Sequence, residues 1–111
     1  MIRTKNVFSA DRMANPRGLE IVKLYDSPEA VILHIFLKGG ETVTTHTTPV
    51  NVSFYVLQGE IEIEIGSEKI LVKADTLVES PAHIPHALYN TSAELARILV
   101  IKHPNPAAMN K

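Results

Sequence analysis

The sequence predicts an all-β domain, and three observations lead to that prediction. Valine, isoleucine and threonine together account for 29 of the 111 residues, and these β-branched side chains fit pleated sheets better than helices. Seven prolines and five glycines divide the chain into short segments. No stretch of more than about ten residues carries a convincing helical stripe. Because turn residues separate short strands, the pattern favours a sandwich or a barrel.

The first half of the chain is predicted to contain an irregular start and four strands. Residues 1–18 are polar and end in the turn sequence Asn15-Pro16-Arg17-Gly18. The segments that follow either alternate between apolar and polar residues or form β-branched runs, and turn residues separate them. The strands predicted in this half cover residues 19–25, 30–37, 42–48 and 50–57.

The second half contains the clearest strand of the sequence. Glu60 to Ile65 alternates glutamate with isoleucine, so Ile61, Ile63 and Ile65 are predicted to be buried and the three glutamates exposed. Strands are predicted at residues 60–65, 69–73, 76–79, 86–90 and 95–102. We expect a single domain whose barrel covers about residues 19–103, followed by a short tail at 104–111.

Composition and charge argue against several classes of protein. The chain has 11 Lys and Arg against 12 Asp and Glu, and its pI of about 6.5 is far below that of a dedicated nucleic-acid binder. It has no cysteine, which excludes disulfides, thiolate zinc sites and cysteine nucleophiles. No apolar run has the roughly 20 residues of a membrane span, and none near the start resembles a secretory signal. We therefore expect a cytoplasmic protein that binds neither nucleic acid nor a membrane.

Two motifs of the chain resemble those of the cupin superfamily. The first has the family's spacing at Gly40, His46, Thr48, Val52 and Gly59. The second has it at Asp75, Pro81, His83, His86 and Asn90. The resemblance covers about residues 40–90 and implies a double-stranded β-helix, which is a jelly-roll barrel of two antiparallel sheets. Small single-domain cupins are often dimers, so a homodimer is also expected.

The resemblance implies the place of a metal site. Cupins commonly bind a divalent transition metal, such as iron, manganese, nickel or zinc, through three histidines and one glutamate. His46 and His86 retain two of these positions, whereas Thr48 and Val52 occupy the other two. A neutral hydroxyl is a weak donor and a valine is none, while a catalytic site generally needs three protein ligands. We therefore expect a metal at His46 and His86 to be weakly bound or absent.

A barrel of this kind would also enclose a largely apolar pocket for an unidentified small molecule. The residues expected to line it are Thr48, Val52, Phe54, Val56, Ile63 and Leu88. Three functions remain open. The favoured one is a small-molecule-binding cupin with an incomplete, two-histidine metal site. The alternatives are a metal-dependent cupin enzyme, similar to a dioxygenase or an isomerase, and a non-catalytic structural or interaction module.

The remaining histidines and Arg97 have simpler interpretations. His34 interrupts an apolar strand and is read as a core or interface histidine. His83 occupies a glycine position of the second motif, where a positive φ is expected. His103 is read as a solvated residue near the C-terminus, and Arg97 as a surface arginine whose stem covers apolar neighbours.

Overall fold

The computed structural model describes residues 1–110 and contains nine β-strands in two antiparallel sheets. The strands are β1 (Glu20–Ser27), β2 (Ala30–Leu37), β3 (Thr42–His46), β4 (Asn51–Gln58), β5 (Glu60–Ile65), β6 (Glu68–Lys73), β7 (Thr76–Ser80), β8 (His86–Tyr89) and β9 (Ala96–His103). One sheet has the order β1-β2-β9-β4-β7 and the other the order β3-β8-β5-β6. The predicted all-β fold is therefore confirmed.

The strand ends differ from the prediction where turn chemistry intervenes. β3 ends at His46 rather than at residue 48, and β4 begins at Asn51; Pro49, which has no N–H to donate, lies between them. A 3-10 helix at Pro106–Asn110 was not predicted. The side chain of Asn105 accepts a hydrogen bond from the Ala107 N–H and holds its start. Of the predicted tail, residue 111 lies outside the described residues.

The hydrophobic core fills the space between the two sheets. Strand register places the inward residues in rows, because Cα partners of an antiparallel pair point to the same face. Ile61 and Ile63 are fully buried as predicted, whereas Ile65 is half-buried. The three glutamates of β5 are also half-buried rather than exposed. The reason is that β5 is a central strand, flanked by β6 and β8, and Glu64 accepts a hydrogen bond from the Tyr89 hydroxyl.

The first 19 residues form no helix or strand, and part of this segment covers the outer face of the five-stranded sheet. The ring of Phe8 lies 5.6 Å from that of Phe36, and the Arg12 guanidinium lies over Phe36. His34 lies on the same outer face and is fully buried. Arg97 is half-buried, which fits a surface arginine whose stem covers apolar neighbours, and it also donates a hydrogen bond to His34 that was not predicted.

Two positions of the second motif have the backbone conformation that glycine usually provides. Asp75 and His83 both have φ of 68°, in the left-handed region that Asp and His tolerate better than most residues. The interpretation of His83 as a structural residue therefore has a specific backbone reason. No helical segment within residues 1–110 has the length and apolar character needed to cross a membrane.

Candidate functional site

His46 and His86 meet at one end of the barrel although 40 positions separate them. They end β3 and begin β8, and these strands pair so that the two residues are direct Cα partners. Their Nε2 atoms lie 3.2 Å apart and their rings meet edge to face at 89°. His86 is 2% exposed, whereas His46 is half-buried and lies nearer to solvent. Two imidazoles thus converge at the rim of the core.

The other ring nitrogens fix the direction of the hydrogen bonds through this pair. Nδ1 of His46 lies 3.0 Å from the Thr44 carbonyl oxygen, which can only accept. When both rings are neutral, Nδ1 of His46 therefore donates and its Nε2 accepts from Nε2 of His86. Nδ1 of His86 then accepts from the Ser80 hydroxyl, 2.9 Å away. The hydrogen bonds thus run in one direction: Ser80 donates to His86, His86 donates to His46, and His46 donates to the Thr44 carbonyl oxygen.

His86 is held in its neutral form by its surroundings. Burial lowers its pKa to about 4, and the charges of His46 and Lys102 contribute further. The ring of Phe54 packs edge-on against it with centroids 5.2 Å apart. A buried imidazole without a carboxylate neighbour disfavours the charged form. At neutral pH His86 is therefore a hydrogen-bonding group and not a cation.

The predicted pocket residues are packed side chains of the barrel interior. Thr48 is 5% exposed and the other five are at most 2% exposed; these five are Val52, Phe54, Val56, Ile63 and Leu88. Phe54 contacts His86, and Ile63 and Leu88 are direct partners across β5 and β8. Their role in binding a ligand stays a prediction.

Two residues of this end of the barrel were missed by the sequence reasoning. Ser80 is 1% exposed and bonds His86. Lys102 is a Cα partner of Val52, and Val52 is in turn a partner of Ser80, so the three form one row across β9, β4 and β7. The signal for Lys102 was present in the sequence. It follows the buried Ala96, Ile98 and Val100 at two-residue spacing and therefore shares their inward face.

A small cavity opens against Val52 and Ser80 of this row, and a larger one, which none of the three residues lines, adjoins it at Glu79 and Pro81. The larger, the edge cleft, has a volume of about 810 Å³ and lies between the edge strands β6 and β7. Its apolar lining consists of Ile63, Ile65, Ile70, Val78, Pro81 and Ile84. The smaller, the rim pocket, has a volume of about 230 Å³ and is lined in part by Val52, Ser80 and Pro81. Neither cavity is lined by His46 or His86, but Ile65 in the cleft wall is the direct Cα partner of His86.

A cupin domain family model matches residues 33–102, which is more than half of the chain. The chain belongs to the cupin domain family. The match extends beyond the two motifs to β2 and β9, which flank them in sequence.

Known relatives of this cupin share its fold. An uncharacterized protein of Methanocaldococcus jannaschii is 24% identical over 107 residues, which are 96% of this chain and 90% of that protein. The crystal structure of this same protein, described as an RmlC-like cupin family protein with a double-stranded β-helix fold, has a TM-score of 0.79 at 20% identity, covering 100% of this chain and 99% of that one. The crystal structure of the protein TT1209 of Thermus thermophilus has a TM-score of 0.80 at 25% identity, covering 93% of this chain and 98% of that one. The predicted fold is confirmed, and none of these names states a substrate.

The residues of this cupin do not fit the resident metal that its family commonly binds. Within residues 1–110, no group of three or more His, Cys, Asp or Glu side chains is placed to hold a metal ion. Val52 occupies the carboxylate position, and the neighbouring side chain in its row is the cationic Lys102. Two imidazoles beside an ammonium group make a poor donor set for a divalent cation.

Proposed function

We propose that this cupin binds a small organic molecule in the edge cleft, beside the His46–His86 pair, and that it requires no resident catalytic metal. The observation that carries the proposal is the cleft itself. Its volume of about 810 Å³ falls within the range of natural small-molecule sites, which combine apolar walls with a few polar groups. Ile65 connects the wall of the cleft to His86 through their direct pairing on β5 and β8.

The lining of the cleft supports an occupant with both apolar and polar parts. Four of its residues are isoleucines, while Ser67, Glu68, Lys69 and Glu79 supply polar groups. Ile70 is 59% exposed and Ile84 is 38% exposed. Covering such exposed apolar side chains is favourable, by about 25 cal/mol for each Å² removed from water.

A metal-dependent enzyme is the second candidate, and one observation favours it. The Nε2 atoms of His46 and His86 lie 3.2 Å apart, which is the spacing of two neighbouring ligands about 2.1 Å from one ion. Each Nδ1 atom also has a polar partner, as ligating histidines usually do. This candidate ranks second because two of the four metal ligands common in the family are missing. A non-catalytic module is the third, and the packed barrel interior favours it.

The proposal can be tested by nuclear magnetic resonance of the isoleucine methyl groups. Indole is a neutral apolar probe of suitable size. We expect indole to shift the methyl signals of Ile63, Ile65, Ile70 and Ile84, and to leave those of Ile35 and Ile98, which lie elsewhere in the core, unchanged. Equal shifts at both sets, or none at either, would contradict binding in the cleft and favour the non-catalytic module.

Other expectations remain predictions. They are a homodimer, a cytoplasmic location, and the lack of a nucleic-acid or membrane partner. Light scattering at several protein concentrations measures the first of these directly.

A further inference from the structure

β6 is an edge strand whose outer side has no partner strand. It pairs with β5 and is the last strand of its sheet, and the edge cleft lies against residues 67–70. Ile70 and Leu71 are 59% and 51% exposed. An open, partly apolar edge of this kind can accept an extended segment as an additional strand.

The hairpin turn determines which residues of β6 have free backbone groups. Gly66 and Ser67 form the two-residue loop between β5 and β6, with a positive φ at Gly66. In such a hairpin the residues that flank the loop, Ile65 and Glu68, bond each other's backbone, and every second pair after them does the same. The intervening residues direct their N–H and C=O groups to the open edge; they are Lys69, Leu71 and Lys73. Within residues 1–110, no backbone group of a turn or loop bonds them.

The side chains of these three residues give the edge a positive outer face. They point away from the core because they alternate with the buried Val72. Neither Lys69 nor Lys73 forms an ion pair within residues 1–110, although glutamates of β5 are their Cα partners. The ammonium group of Lys69 lies over the Tyr89 ring, a contact that does not neutralise its charge. The edge therefore carries two ammonium groups without a carboxylate partner.

A second copy of this chain is a poor partner for the edge. The register that engages all three free residues pairs Leu71 with its counterpart, and it places Lys69 of each copy opposite Lys73 of the other. Like charges directly opposite each other are unfavourable, and edge lysines commonly prevent such self-association. A strand with acidic side chains at these two places avoids the repulsion and neutralises both lysines.

We propose that β6 binds an extended acidic and apolar peptide segment of another protein, which continues the four-stranded sheet. The segment runs antiparallel to β6, as neighbouring strands of this sheet do. Its residues opposite Lys69 and Lys73 are acidic and lie four positions apart. Its inward residues are apolar, because they lie beside Ile70 and Val72. This interaction uses the backbone of β6 and does not depend on the proposed function.

The charges of the edge cleft are consistent with apolar residues on the inward side of the peptide. Two carboxylates line the cleft, Glu68 and Glu79. Glu68 alternates with Lys69 and therefore faces inward, while Glu79 belongs to β7 of the other sheet. Acidic side chains are thus favoured on the outer face of the added strand and disfavoured on its inward face.

The test uses blocked pentapeptides and nuclear magnetic resonance of the full chain. Acetyl-Glu-Val-Thr-Val-Glu-amide places its two glutamates opposite the two lysines. We expect it to shift the backbone amide signals of Lys69, Leu71 and Lys73 and to slow their hydrogen exchange, because these amides gain acceptors. The same peptide with lysines in place of both glutamates should bind about tenfold more weakly, because two attractive cross-strand pairs become repulsive.

Methylation of the peptide backbone distinguishes strand pairing from charge attraction. In the proposed register the threonine N–H faces β6, whereas the valine N–H groups face away from it. N-methylation of the threonine should weaken binding by about tenfold, because it removes a hydrogen bond and obstructs the approach of the strands. N-methylation of the first valine is the matched control and should leave the affinity nearly unchanged.

Neutral substitutions in the protein test the role of the two lysines. Lys69→Gln with Lys73→Gln should remove the preference for the glutamate peptide over the lysine peptide. Both lysines are exposed, so these changes leave the core intact. Arg17→Gln with Lys38→Gln, at two exposed positions outside β6, removes the same charge and should keep the preference.

Each contrary outcome has a distinct meaning. Equal affinity for the glutamate and lysine peptides, or for the two N-methylated peptides, overturns the proposal. Shifts of the β6 amide signals that grow with protein concentration in the absence of peptide identify a second copy as the occupant, and they also overturn it. A preference that both double variants lose equally reflects general surface charge and does the same. If indole still shifts the cleft methyl signals in any of these cases, the proposed function stands.

Discussion

Arg97 donates a hydrogen bond from Nε to Nε2 of His34 over 3.1 Å, although 63 positions separate the two residues. The guanidinium of Arg97 also lies over the ring of Phe8, and the rings of His34 and Phe36 meet edge to face. Because Arg97 can only donate, Nε2 of His34 must accept and the ring must be neutral. Its Nδ1 is buried and has no hydrogen-bond partner within residues 1–110. The N-terminal segment therefore covers a neutral histidine.

This arrangement predicts a loss of stability in mild acid. Burial, followed by the charge of Arg97, lowers the pKa of His34 from 6.5 to about 4, and the pKa of His86 is lowered to a similar value. Between pH 6.5 and pH 4 the unfolded chain binds more protons than the folded chain. The free energy of unfolding therefore falls as the pH falls through this range. The loss should be up to roughly 3 kcal/mol for each histidine. Urea unfolding at pH 7 and pH 4.5 measures it.

The variant His34→Gln separates the contributions of His34 and His86 to the pH dependence of stability. It removes one titrating group, so its unfolding free energy should change with pH about half as steeply as that of the unmodified chain. An equally steep dependence in His34→Gln would show that His34 does not contribute.

Because one face of β5 packs in the core and the other does not, truncating side chains on the two faces should lower the free energy of unfolding by different amounts. Ile63 is 1% exposed, and Ile63→Ala should lower the free energy of unfolding by about 2–5 kcal/mol. Glu62 faces away from the core and is half-buried, so Glu62→Ala should cost less than about 0.5 kcal/mol. Denaturant unfolding of both variants provides the comparison. Equal costs would contradict the assigned faces.

Restoring the family's missing ligands should create a metal site. Thr48→His with Val52→Glu supplies four donors, and zinc or nickel affinity should rise by orders of magnitude over that of two imidazoles. Lys102 adjoins residue 52, so it competes for the new carboxylate. Adding Lys102→Met should therefore tighten binding further. Competition titration with a chelator measures each step, and an unchanged affinity in the double variant means that the four positions do not converge.

Ser80 is predicted to matter for both stability and the histidine pair. Ser80→Ala leaves the buried Nδ1 of His86 without its donor, which should cost about 1–3 kcal/mol. Ser53→Ala, at a half-buried serine that bonds His103 on the outer face, is the control and should cost less. In nitrogen-15 spectra, the imidazole signals of His86 should change in Ser80→Ala and should not change in Ser53→Ala. An unaltered His86 signal would contradict the direction of hydrogen bonding inferred here.

Local patterns were sufficient to predict the strands, because turn residues and period-two alternation act over a few positions. The convergence of the two motifs was instead implied by their resemblance to those of the cupins. Asp75 and His83 illustrate this, since a motif glycine position is readable even when another residue fills it. The contact of Arg97 with His34 was not predictable in this way. It depends on which strands of the sheet are neighbours and on where residues 1–18 pack. The neighbours of Lys102 likewise emerge only from the register of β9 with β4.

The edge cleft lies between two strands that belong to different sheets. β6 and β7 are each the last strand of their sheet, and no backbone hydrogen bond of either ladder crosses from one to the other. They are joined at one end by the turn at residues 74–75, and beside the cleft the Gly66 N–H donates to the Pro85 carbonyl oxygen. β7 also carries Ser80, whose Oγ bonds Nδ1 of His86. An occupant that pushes β7 away from β6 therefore strains the hydrogen bond that holds His86, so the filling of the cleft is coupled to the His46–His86 pair.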